Sequence, residues 1–218
     1  MCFSAEASFI GGVVISTIGV ATIREVHKPS QIVFAYIPLF FGLQQIAEGF
    51  VWLSLQNPNF ASVQKPATYA FLIMAEVFWP FMVPLAVLLM EKNKARIKVI
   101  KILLALGVLV SLYFTFCLLL FKSTPEIIGY HIEYIETYPK SIHLIVFAIY
   151  LIASITPLFV STIKRTYLLG ILMVLSCLIT IIFFEQYLTS VWCFFGALIS
   201  IVIFYILHDA RRKYIKGR

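Results

Sequence analysis

Residues 71–90 read FLIMAEVFWPFMVPLAVLLM, and Glu76 is the only charged side chain among them. As a helix rising 1.5 Å per residue, such a run is about 30 Å long, the thickness of a bilayer's hydrocarbon layer. Similar runs recur along the whole chain. It has 218 residues, 61% of them hydrophobic and 12% charged, and a mean hydropathy of +0.98. A soluble core offers too few interior sites for that proportion of apolar side chains. The sequence therefore predicts an all-α polytopic membrane protein, one helical bundle over 1–218 with no appreciable soluble domain. Helices are expected rather than barrel strands because the runs are continuous, without in–out alternation.

Seven transmembrane helices are expected, at about 7–23, 31–55, 67–90, 99–121, 141–161, 168–187 and 188–207. The last two are broken only around Gln186–Ser190, which requires a tight hairpin. Orientation follows from the basic residues. If the N-terminus is outside, segments 24–30, 91–98, 162–167 and 208–218, together with Lys101, hold 14 of the 17 lysines and arginines, leaving Lys65, Lys122 and Lys140 on the other side. Positive residues resist translocation, so the expected topology is N-terminus out and C-terminus cytoplasmic. The same bias accounts for the net charge of +7. The tail HDARRKYIKGR reads as a topogenic anchor that also meets anionic headgroups, and no nucleic-acid partner is expected. No basic stretch precedes the first apolar run, so that span is expected to be retained rather than cleaved.

Between the spans, QNPNFASVQKP is read as a turn ending at Pro66. The segment KSTPEIIGYHIEYIETYPK mixes aliphatic, tyrosine and acidic residues. It is read either as an interfacial cap over the bundle or as an ordinary ordered loop.

The acids are unevenly placed. Glu25, Glu91 and Asp209 fall at the cytoplasmic boundary, whereas Glu6, Glu48, Glu76, Glu126, Glu133, Glu136 and Glu185 fall in the outer half or beyond. Any site should therefore open outward. Glu48 and Glu76 are expected about 10 Å and 13 Å below the outer helix ends. A charge at that depth costs several kcal/mol unless paired, protonated, hydrated or bound to a cation, so both are candidates for function. Gln44, Glu48 and Trp52 recur every fourth residue on one helix face. Glu76 and Trp79 share a face, followed by Pro80 and Pro84, which free backbone carbonyls for buried polar partners. Glu185, Trp192 and Cys193 come to the outer end, with His143 starting the fifth helix at the same level. Cys2, Ser4 and Glu6 are placed over the mouth.

Carboxylates, imidazole and thiol are ligand types that zinc accepts, and a catalytic zinc activates its bound water. The candidate metal ligands are Glu48, Glu76, His143 and Cys2, with Glu6 or Glu185 as catalytic acid–base. Ser4, Gln44, Gln45, Trp52, Trp79, His131, Trp192 and Cys193 would line the pocket. Each also has a plainer reading. The glutamines serve equally as interhelical glue, the tryptophans as packing or belt aromatics, His131 as a surface residue, and Cys2 with Ser4 as an inert cap. A Cys2–Cys193 disulfide is conceivable in an oxidising compartment. No HExxH or paired-cysteine spacing is present.

In helix count and a buried metal site the expected architecture resembles seven-helix membrane hydrolases of the alkaline ceramidase and adiponectin-receptor type. This chain lacks their histidine pair, so the likeness is one of architecture. The opening MCFSAEASF, with IPLFFGLQQIAEGFVW and SVWCFFGALIS, resembles an uncharacterised bacterial family of small seven-helix membrane proteins beginning MCFSA-x-ASF. That resemblance implies the topology and no activity; the expected location is a bacterial inner membrane. Two functions are carried forward: a metal-assisted hydrolase acting on a lipid or amphiphile, and an outward-facing small-molecule sensor or transporter. A transporter would arise from a 3+1+3 repeat, but polar groups thin out towards the cytoplasm. A purely structural subunit would leave the buried acids unexplained.

Overall fold

The computed structural model describes residues 4–138 and 142–216. Helices α1 (Ala5–Arg24) and α2 (Ile32–Gln56) are followed by α3 (Ala61–Leu72), a π-helical turn (Ile73–Phe78) and α4 (Trp79–Met90). Next come α5 (Lys94–Leu120), strands β1 (Ser123–Ile128) and β2 (His131–Glu136), α6 (His143–Val160), α7 (Thr166–Phe184), α8 (Leu188–Ile199) and α9 (Ile201–Lys216). Six helical stretches among the described residues are long and apolar enough to cross a membrane, the last being the 51-residue run Thr166–Lys216. That run reverses at a 3₁₀ turn, Glu185–Tyr187. The indole Nε1 of Trp192 donates to Ser176 Oγ at 3.2 Å, whereas a straight helix would hold residues sixteen apart about 24 Å from one another. This is the hairpin expected near Gln186–Ser190.

Large apolar side chains face outward around the bundle. Ile10, Leu112, Leu119, Leu144, Ile182 and Phe183 are all at least 60% exposed. Water would not tolerate so wide an apolar surface, and lipid requires it.

Helix α2 is the axis, packed against α1, α3, α4, α8 and α9. Small residues allow the closest of these approaches. A Cβ added at Gly42 would lie 2.6 Å from Ser16 N and 2.9 Å from Gly12 O on α1, so the two backbones touch in the way that membrane helices use in place of a hydrophobic driving force.

Two expectations need correction. Pro66 does not end a turn but lies inside α3, which begins at Ala61. Asn57 makes the turn instead, its Oδ1 accepting from Asn59 N at 3.0 Å. The segment read as a cap or loop is an antiparallel β-hairpin, pairing Ser123 with Glu136 and Ile128 with His131. Gly129 takes φ +63° at its tip, a conformation glycine adopts without the Cβ clash. Period-two alternation puts Ile132, Tyr134 and Glu136 on one face. Ile132 is fully buried beside Ala5, Val51, Trp52 and Ala67, and Tyr134 stacks on Phe71 with centroids 4.9 Å apart. The hairpin thus closes one end of the bundle. The other end carries the basic loops.

Candidate functional site

Glu76 sits in the π-helical turn, and local chemistry explains that turn. A π-helix pairs each carbonyl with the N–H five residues on, and for Ala75 that residue is Pro80, which has none. Tyr150 OH on α6 takes the vacant position, donating to Ala75 O at 2.7 Å. Ser111 Oγ on α5 lies 2.6 Å from Val77 O. The Ala75 carbonyl, freed by Pro80, therefore serves a buried polar group, as the sequence suggested, and the two hydroxyl bonds together bolt the turn to two neighbouring helices.

So held, the Glu76 side chain is buried, 7% exposed, and its Oε2 has no hydrogen-bond partner. Its carboxyl meets that of Glu136, on the inward face of β2. Glu136 accepts from Tyr138 OH, and Cys117 of α5 lies close by. Burial first, and then the charges of Glu76 and Glu136, push the Tyr138 phenol well above its usual range, keeping it a donor. Two carboxyl groups in contact repel when both are ionised, so a proton or another cation between them relieves the repulsion.

Glu76, Glu136 and Tyr138 line a cavity of about 530 Å³ between the hairpin, the turn at 185–187, and helices α5, α6 and α8. Glu133, His143 and Glu185 also line it, with tyrosines 134, 138, 150 and 187 and Trp192. Its volume lies within the range of small-molecule sites.

Behind its wall lies the second deep acid. Glu48 has no exposed surface, and Ser190, which itself lines the cavity, donates its hydroxyl to Glu48 Oε1. Glu48 Oε2 has no partner. The Cys193 thiol lies beside Gln44 and near both carboxyls. Gln44 Oε1 accepts from Trp79 Nε1 at 2.8 Å, and the Trp79 ring stacks on Phe41 at 3.9 Å. Gln45 is buried against Glu48. A smaller apolar chamber, about 50 Å³, shares Tyr150, Trp192 and Cys193 with the polar cavity and is lined further by Trp79, Phe34 and Leu158.

The residues expected at one pocket thus divide. Glu76, His143, Glu185, Trp192 and Cys193 share the cavity, and Glu48, Gln44, Gln45 and Trp79 form the layer behind it. Glu6 does not join them: it is exposed in the first turn of α1. Ser4 caps that helix, its Oγ accepting from Ala7 N at 3.2 Å. Trp52 is buried in the separate cluster under the hairpin. His131 stacks near Tyr187, centroids 4.6 Å apart, and its burial lowers the imidazole below the ordinary value. Cys2 lies outside the described residues, and with it the proposed disulfide; Cys193 is a buried free thiol. Among the described residues, no three His, Cys, Asp or Glu side chains converge closely enough to hold a metal ion. Sequence reading missed Glu136 and Tyr138 as site residues. The available signal was the alternation in HIEYIE, which turns Glu136 inward with Ile132 and Tyr134.

Residues 1–217 match the family described as a family of unknown function (DUF6629). The chain belongs to that family. No curated protein and no solved structure matches it.

Proposed function

We propose that the chain crosses a bacterial cytoplasmic membrane seven times, N-terminus out and C-terminus in, and that its outward-facing cavity binds a small organic cation as a sensor or uptake site. The observation that carries this reading is the unpartnered Oε2 of Glu76, buried in a cavity that also holds Glu133, Glu136 and Glu185. An ammonium group there would neutralise the Glu76–Glu136 contact. The tyrosine and tryptophan rings present faces that attract cations within about 6 Å. Counting the run 166–216 as two crossings gives the seven spans, and the 14-to-3 division of basic residues gives the orientation. Binding is favoured over passage because the chamber that adjoins the cavity is small and apolar.

Titration calorimetry of the purified protein in nanodiscs tests the reading, with choline, tetraethylammonium and spermidine as probes. Saturable binding of at least one is expected, weakened tenfold or more by Glu76→Gln and by Glu136→Gln, with Glu6→Gln unchanged. No binding at millimolar concentrations, or equal binding by the Glu76→Gln protein, would overturn it.

A second reading rests on Glu76 and His143 lining the same cavity: a metal-assisted hydrolase acting on a lipid or amphiphile. Stoichiometric zinc that is lost from both Glu76→Gln and His143→Ala would select it over the first.

A further inference from the structure

At the opposite, basic end a cleft of about 400 Å³ opens between segment 27–31, the turn 163–165, and the end of α9. Its lining includes Lys28, Lys164, Arg165 and Lys213 against a single acid, Asp209. Asp209 is already engaged, with Lys213 one turn along α9 and with Arg165 at 3.8 Å. Lys28 and Lys164 have no carboxylate partner among the described residues. Three separate segments therefore bring an excess of positive charge to one concave place.

The cleft is shaped as well as charged. Gln31 Oε1 accepts from the backbone N–H groups of His27 and Lys28, both at 3.2 Å, fixing that segment. The His27 ring stacks on Tyr214, centroids 5.0 Å apart, and Lys28 Nζ stands 5.7 Å from the same ring. Across the cleft Arg165 holds φ +71° immediately before α7, a conformation uncommon for a residue with a Cβ. Ile163 and Ile206 give the cleft an apolar wall. The other acids at this end are engaged too, Glu25 by His208 and Arg211 and Glu91 by Thr162, Lys92 and Asn93. Neither forms an ion pair with Lys28 or Lys164.

We infer that this cleft binds a phosphate group, presented either by an anionic phospholipid headgroup or by a soluble phosphate compound. The cations supply attraction and hydrogen-bond donors, and the isoleucine wall admits the glycerol end of a lipid. Only the assignment of the cleft to the inner leaflet rests on the topology proposed above. The cation cavity at the other end is independent of it.

The test is native mass spectrometry and titration of the detergent-purified full chain with short-chain phosphatidic acid, short-chain phosphatidylcholine and inorganic phosphate. Phosphatidic acid is expected to bind and phosphatidylcholine not to. At about 1 kcal/mol for each basic residue, K28Q/K164Q should weaken phosphatidic acid binding about thirty-fold. The charge-matched variant K94Q/K98Q, on α5 and outside the cleft, should change it less than threefold, and K28R/K164R should retain it. Competition by inorganic phosphate assigns the site to soluble phosphates, and its failure to compete assigns it to the lipid headgroup. Equal losses in the two glutamine pairs would reduce the effect to general basic charge and overturn the inference, as would equal binding of phosphatidylcholine. Because Lys28 and Lys164 are exposed, the variants should fold, and unchanged melting checks that.

Discussion

Gly107→Ala tests how the site is held together. Gly107 lies on α5 where it crosses the proline-loosened helix α4, and a Cβ there would stand 1.9 Å from the carbonyl oxygen of Pro80. Ordinary contact begins at 3.4 Å, so the two helices must part by about 1.5 Å. The obstacle is backbone, which cannot swing aside as a flexible side chain can. Over-packing of this kind costs about 1–3 kcal/mol. Alanine's better helix propensity offsets at most about 1 kcal/mol of that. Against a rigid backbone obstacle the upper half of that range, about 2–3 kcal/mol, applies, so the net expectation is a loss of about 1–2 kcal/mol, read by reversible unfolding in mixed detergent micelles. The displacement should also reach function. Pro80 lies two residues past the π-turn, and Ser111, one turn along α5 from Gly107, meets Val77 of that turn. Opening this crossing should move Glu76 away from Glu136 and weaken cation binding together with stability. A Gly107→Ala protein within 0.5 kcal/mol of the parent, with unaltered binding, would refute both the geometry and the claim that this crossing positions Glu76.

Two further outcomes follow from buried polar contacts. Glu91 ends α4 and fastens the loop after α6, accepting from Thr162 N and Thr162 Oγ1 at 2.6 Å and from its own neighbours Lys92 N and Asn93 N. Burial opposes its ionisation, yet these donors prevail and hold the carboxyl at about 2 instead of 4.5. A depressed carboxylate gives stability that is complete above 4.5 and fades as pH falls towards 2; the parent's advantage over Glu91→Gln in pH-dependent melting should shrink across that window. An advantage independent of pH would contradict it. Trp79→Phe keeps an aromatic ring against Phe41 but leaves Gln44 Oε1 without its donor, which costs about 1–3 kcal/mol. Adding Gln44→Leu should recover part of that loss in the same unfolding assay, and strict additivity would show that the two side chains do not interact.

The membrane character of this chain was legible without any tertiary information. Hydrocarbon demands long runs of apolar side chains with internally paired backbone, and that constraint is written residue by residue in stretches such as 71–90. The burial of Glu48 and Glu76 was equally legible, because an acid inside a long apolar run has to turn towards the bundle interior. So was the use of carbonyls near Pro80, since a missing N–H is a local fact. The hairpin at 123–136 was harder to see: its alternation is short, and tyrosines suit a membrane interface as well as a strand. Sideways placement was not legible at all. Nothing in the sequence distinguishes Glu136, which meets Glu76, from Glu6, which faces away, because both are acids at the same end of the bundle. Only the packing of β2 against α3 and α8 turns Glu136 inward, and only the reversal at 185–187 brings Ser190 to Glu48. Height is set by each helix alone, but convergence depends on how separate segments rotate and pack against one another.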